Sequence, residues 1–360
     1  MRRFFLYIAL VASSISFLSC ISINDLNPTK RNPSTGVPSS TTANCYIVSS
    51  SGTYDFPTVR GGSTESVGDA ASVEVLWESF GTDVTPAVGD LIESVSYSSG
   101  KIIYTVASPF KEGNAVIAAK DASGAILWSW HIWLTDYPQK QVYANNAGTM
   151  MDRNLGATSS APGDVAALGL LYQWGRKDPF LGSSSISEDY TAKSTAYWPS
   201  PVESSASKGT IAYAVANPMT FITGSSSSDY DWHFASRDNE LWKSSKSVYD
   251  PCPVGWRVPD GGLSGIWSRS GFEDHNYDDV DMGMQFGSPY CTPAAWYPAS
   301  GYRGNIGGWL DDVGSCGYYW SVTPNGYYAY YLYFYNDGNV FPSNYYYFRA
   351  DGRSVRCLQE

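Results

Sequence analysis

Between Cys45 and about Asp136 apolar and polar residues alternate in short runs: "CYIVS", "VEVLWES", "LIESVSYSSGKIIYTV" and "GNAVIAAKDASGAILWSWHIWLTD". Successive side chains of a strand point to opposite faces, so a period of two predicts strands and excludes a long helix. The breaks "SSG" (98–100) and "ASG" (122–124) read as hairpin turns. In "AILWSWHIWL", Ile126, Trp128, Trp130 and Ile132 share one face. Six or seven such strands in about ninety residues predict an all-β immunoglobulin-like sandwich over residues 45–137. Nothing reactive clusters in it, so its expected role is spacing or docking.

Upstream, Arg2 and Arg3 precede an apolar run from Phe4 to Leu18, then Ser19 and Cys20. The run is too short for a bilayer span and reads as a signal peptide over residues 1–20. Its end, "FLSC", resembles a lipobox, which implies that Cys20 becomes the lipid-modified first residue of the mature chain. Residues 21–44 include the Pro/Ser/Thr/Asn stretch "NPTKRNPSTGVPSSTTAN" and predict a disordered tether. The formal charge of -11 argues against nucleic acid and against anionic membrane surfaces. Membrane contact is therefore expected through the lipid anchor alone, at the outer membrane and facing the cell surface.

"TDYPQK" (135–140) reads as a junction, and residues 138–360 form a second unit. Ala166 to Trp174 is predicted to be a short helix, and the Ser-rich chain to about Ser228 reads as long surface insertions. His131, His233 and His275 lie too far apart in sequence for a zinc site. The acidic run Glu273–Asp281 reads as a solvated loop rather than a calcium site. No nucleophile sits beside a base at a recognisable spacing, so no catalysis and no cofactor are expected. With Cys20 lipidated, five cysteines remain in a disulfide-permissive compartment, which allows at most two bridges of open connectivity.

The feature left over is Tyr327–Phe348, "YYAYYLYFYNDGNVFPSNYYYF". If residues 329–335 form a strand, Tyr330, Leu332 and Phe334 share the core face and Tyr331, Tyr333 and Tyr335 the other, about 7 Å apart along the chain. Asn336, Asp337 and Gly338 then make a turn. Tyrosine offers a large contact area with two side-chain torsions and a hydroxyl, the chemistry that paratopes use. The expected ligand-binding set is Tyr319, Asn325, Tyr327, Tyr328, Tyr331, Tyr333, Tyr335, Asn336, Asp337, Asn339, Phe341, Asn344, Tyr345, Tyr346, Tyr347 and Phe348.

Six motifs in order, "MDRNLGA", "LYQWGR", "DPCPVGWRVP", "GYYWSVTP", "AYYLYF" and "GRSVRC", resemble the bacterial surface-protein family known as the FISUMP domain, which has a C-type-lectin-like fold. The resemblance implies a compact α+β module whose chain ends meet, with a disulfide for which Cys252 and Cys357 are the candidates. Cys291 and Cys316 are then a possible second pair, leaving Cys45. The N-terminal part is similar to sandwich domains of fimbrial tip lipoproteins. Blocks of Tyr, Asn, Asp, Ser, Gly and Phe between fixed scaffold residues, with the last lysine at Lys246, resemble variable proteins diversified by retroelements. Together these imply a surface-anchored binder of an unknown protein or glycan, with a fimbrial tip or spacer that contacts other fimbrial subunits as the alternative.

Overall fold

The computed structural model describes residues 42–234, 237–272, 275–287 and 291–360. The expected signal peptide, with Cys20, and the tether as far as Thr41 lie outside the described residues. The final tether residues are packed, not disordered. The Asn44 amide donates to the carbonyls of Val248 and Asp250 at 2.7 and 2.9 Å and accepts from Trp128 Nε1 at 2.9 Å. A polar composition cannot reveal this, because the partners lie far away in sequence.

Seven strands follow in two sheets. Cys45–Val48, Ile126–Leu134, Gly113–Lys120 and Ser72–Ser79 are adjacent in that order in one, and Gly52–Pro57, Lys101–Val106 and Ile92–Ser98 in the other. The first strand runs parallel to the last, from Cys45 beside His131 to Val48 beside Leu134. Trp128, Trp130 and Ile132 enter the core with Phe56, Ile102 and Tyr104, and Ile126 stays half-buried. The opposite face of Ile126–Leu134 is also buried. Trp133 joins Ile47, Trp77 and Val116 in a second core with Leu155, Tyr172 and Trp174, and its Nε1 donates to the carbonyl of Ala157 at 3.0 Å. The C-terminal half thus supplies an apolar cover that the alternation does not predict.

Of the described residues 39% are strand and 6% helix, so sheet dominates them. From Lys140 onward the largest sheet runs Phe180–Leu181, Leu170–Gln173, Gly352–Ser354, Cys316–Asn325, Tyr328–Tyr335 and Val340–Phe341. A five-stranded sheet pairs Met150 with Leu358, joining the start of this half to the chain's end. The α-helices among the described residues are Ile211–Ala216 and Ile266–Ser270.

Three expectations need correction. The helix over Ala166–Trp174 is absent: a 3-10 turn at Val165–Ala167, capped by Asp164, ends where Gly169 takes φ +73°, and Leu170–Gln173 is a strand. A left-handed glycine breaks the helix, and the apolar run beyond it belongs to a strand buried on both faces. The Ser-rich region is not merely surface, since Ala214, Phe221 and Ile222 are buried and the carbonyl of Ile222 accepts from Gln173 Nε2 at 2.7 Å. Cys252 and Cys357 are disulfide-bonded, but Cys291 and Cys316 form no second bridge: both are free and buried, as is Cys45, and they sit on strands of different sheets.

Candidate functional site: an aromatic hairpin

Cys316–Asn325 and Tyr328–Tyr335 form an antiparallel hairpin closed at Gly326, where φ is +59°. Its register sets Tyr318 opposite Tyr333, Tyr319 opposite Leu332 and Trp320 opposite Tyr331. The pleat therefore sorts rings onto two faces. Tyr319, Leu332 and Phe334 face a buried cluster with Phe286 and Tyr297. Tyr318, Trp320, Tyr331 and Tyr333 occupy the other face.

That second face is not bare, and the expectation fails for two residues, one on each face. Tyr331 is 4% exposed and Tyr319 wholly buried, so neither presents a ring to a ligand. Tyr331 is boxed by Trp320 at 5.8 Å, Tyr318 at 5.9 Å, Tyr333 at 6.2 Å and Tyr345 at 6.3 Å between ring centres. Tyr345 is the cover. It comes from the loop after Val340–Phe341, lies 4.4 Å from the Phe341 ring and 4.9 Å from that of Tyr333, and its carbonyl accepts from the Tyr331 N–H. Tyr319 is held from the other side, where its hydroxyl donates to the carbonyl of Pro298 at 2.6 Å. Sequence alternation separates odd from even positions, but it does not say that a later loop folds back over the odd ones.

Beneath the layer lies Arg353, on Gly352–Ser354 and 2% exposed. Its guanidinium carbon is 3.9 Å from the Tyr331 ring centre, 4.7 Å from Tyr318 and 4.8 Å from Trp320. Nη2 donates to Asp351 at 2.7 Å, while Nε and Nη1 find no hydrogen-bond partner among the described residues. A buried guanidinium short of acceptors is costly, and ring faces with their negative quadrupole offset part of that cost. Burial raises the Tyr331 pKa and the Arg353 charge opposes the rise. It also lifts the Asp351 carboxyl above the usual range, against the pull of Arg353. Tyr318, Trp320, Asp351 and Arg353 are not among the expected residues. Alternation within "GYYWSVTP" does place Tyr318 and Trp320 on one face; nothing in the sequence assigns Arg353 to them.

The remaining expected residues divide by location. Tyr347 pairs with Ala329 on the covered face and is 45% exposed, its ring centre 5.6 Å from the Arg353 guanidinium. Tyr335, 40% exposed, begins the turn through Asn336, Asp337 and Asn339, where the Asp337 carboxylate accepts from the Asn339 backbone and amide at 2.9 and 2.6 Å. Asn344 is exposed beside Tyr345. Tyr346 falls on the opposite face, packed edge-on to Tyr330 at 5.5 Å and beside Tyr328, with Phe348 next to Tyr328 and Tyr230. At the hairpin tip, next to Asn325, the Tyr327 ring lies under the Arg237 guanidinium at 3.1 Å. The tyrosines thus do not converge on one patch: Tyr333, Tyr335, Phe341, Tyr345 and Tyr347 share one side, and Tyr328, Tyr346 and Phe348 share the other.

Among the described residues no group of three or more His, Cys, Asp or Glu could hold a metal ion. Glu273 and Asp274 of the acidic run lie outside them, and Asp278 caps the backbone N–H groups of Val280 and Asp281. No protein-family model matches this chain, and neither does any curated protein or solved structure.

Proposed function

We propose that the chain is a surface-anchored lipoprotein whose C-terminal module binds a protein or glycan ligand through the aromatic side formed by Tyr333, Tyr335, Phe341, Tyr345 and Tyr347. The observation that carries this reading is the two-layer build. Tyr345 and Tyr347 remain well exposed while a buried base of Tyr331, Trp320 and Arg353 supports them from below. Rings already ordered by their neighbours lose little freedom on binding, and aromatic anchors dominate the energetics of recognition surfaces. The fold proposed for this role is an immunoglobulin-like sandwich followed by a C-type-lectin-like module. The seven strands in two sheets and the paired chain ends of the C-terminal half agree with it.

The test is capture by the full chain from a panel of purified extracellular proteins and immobilised glycans, compared with a Tyr335→Ala/Tyr345→Ala/Tyr347→Ala variant. Capture is expected to vanish while the melting temperature moves by only a few degrees, since these rings are the outer layer. Undiminished capture by the variant overturns the reading.

A further inference from the structure

A cleft of about 440 Å³ opens between residues 191–201, Phe221 and the turn that joins Ser300–Arg303 to Leu310–Val313. None of the sixteen C-terminal residues considered above lines it. Its size falls in the range of small-ligand sites, roughly 300–1,000 Å³. The floor is apolar: Phe180 meets Phe221 edge-on at 5.1 Å, and Trp198 lies 6.2 Å from Phe180.

At the rim stands Trp309, 57% exposed. A surface indole ordinarily has room to turn, but the six-membered ring of this one packs against Gly307 in the space that a Cβ there would fill. Arg303 braces the same rim. Its Nε donates to the carbonyl of Leu181 at 2.9 Å, Nη1 to that of Gly308 at 2.5 Å and Nη2 to Thr191 Oγ1 at 3.1 Å. A large ring is thus held open to solvent above an aromatic floor, with Thr191, Lys193 and Ser194 along one wall.

This combination selects among ligand classes. A peptide adding as a strand needs a free sheet edge, yet beside Phe180–Leu181 the carbonyl of Leu181 is taken by Arg303 and that of Gly182 by the Ala192 N–H. An acyl chain would offer no acceptor to the Lys193 amine or to the Thr191 hydroxyl, whose oxygen already accepts from Arg303, and covering those donors unpaired is unfavourable. A pyranose ring suits both parts: its polarised C–H groups pack on the negative face of an indole, and its hydroxyls bond a polar wall. We propose that this cleft binds a saccharide, with Trp309 stacking on one face of a pyranose ring and Thr191 and Lys193 bonding its hydroxyls. The site is separate from the tyrosine side, and the two stand or fall independently.

The test applies the full chain to an array of defined neutral and acidic oligosaccharides, alongside four variants. Trp309→Ala removes the platform, Gly307→Ala keeps the indole but displaces it, Trp309→Phe keeps a flat ring, and Tyr345→Ala/Tyr347→Ala alters only the other site. The wild type is expected to bind at least one oligosaccharide. Affinity should fall about tenfold or more in Trp309→Ala and Gly307→Ala, a loss of about 1.4 kcal/mol or more. Trp309→Phe should retain most of it and the tyrosine variant all of it. The proposal is overturned if the wild type binds no saccharide on the array, if Trp309→Ala binds as well as wild type, or if binding disappears only in the tyrosine variant. That last result would leave the tyrosine side as the saccharide site. Circular-dichroism melts of each variant separate lost binding from lost fold, and Gly307→Ala still decides the question should Trp309→Ala misfold.

Discussion

The Arg353 guanidinium carbon lies 3.9 Å from the centre of the Tyr331 ring, and its Nη2 reaches the Asp351 carboxylate at 2.7 Å. One buried cation therefore serves both an anion and an aromatic layer, and the carboxylate's second oxygen accepts from the Asn305 N–H at 2.9 Å. Removing the cation alone strands a buried carboxylate. Arg353→Met is expected to cost about 3–5 kcal/mol in denaturant unfolding, and Arg353→Met/Asp351→Asn substantially less. Equal losses in the single and double variants would show that the ion pair contributes nothing beyond packing.

The two-layer arrangement predicts an unequal pair. Tyr331→Ala empties a fully packed site and should cost about 3–5 kcal/mol, whereas Tyr346→Ala, 43% exposed on the other face, should stay within about 1 kcal/mol. Urea melts of both variants check the order. A reversed ranking would mean that the layers are assigned the wrong way round.

His131 is buried and its pKa is pushed down to about 3 by desolvation, with Nε2 beside Asn114 Oδ1 at 2.9 Å. The unfolded chain takes up a proton near pH 6.5 that the folded ring refuses until about pH 3, so this contribution to stability is present above pH 6.5 and is lost as pH falls. Asp231 and Asp250 act in the opposite sense. Burial raises both to about 6, so the folded form takes their protons first and gains stability as pH drops through that value. The wild type and His131→Gln share these aspartates, so the difference between the two isolates the imidazole. The wild type should lose stability relative to His131→Gln by about 1.4 kcal/mol per pH unit between pH 6 and 4. A difference independent of pH would show that water reaches the ring.

The Cys252–Cys357 bridge closes a loop of sequence separation 105. Loop-closure entropy sets its contribution at about 4–5 kcal/mol, so Cys252→Ala/Cys357→Ala should lower the unfolding free energy by that order. The thiols of Cys45, Cys291 and Cys316 should resist a thiol-specific reagent in the native state and react on unfolding. All three are buried, and burial pushes Cys316 up to about 11. Rapid native labelling at Cys316 would show that the Tyr333 side of the hairpin opens.

Several particulars were legible in the residues alone. The "Tyr335-Asn-Asp-Gly338" turn, with Gly338 at φ +88°, follows from Asp bonding its own backbone and glycine tolerating that region, and both hold here. Leu332 and Phe334 face the core for the simple reason of period two. The Trp309 platform was not legible, since it depends on a glycine two residues earlier accepting an indole on its backbone. Nor does composition decide Leu170–Gln173, which is buried on both faces, because a short, mostly apolar run does not distinguish strand from helix.

By itself, then, the sequence determined the strand-rich character, the turns and the separation of each strand's residues into two sets, all of which depend on backbone sterics and near neighbours. Tertiary structure alone decided how far the set opposite the core meets solvent. Burial depends on what packs from elsewhere in the chain: Tyr345 closes over Tyr331, Arg353 rises beneath it, and the C-terminal half covers Trp133, each a contact whose partners no local pattern can name.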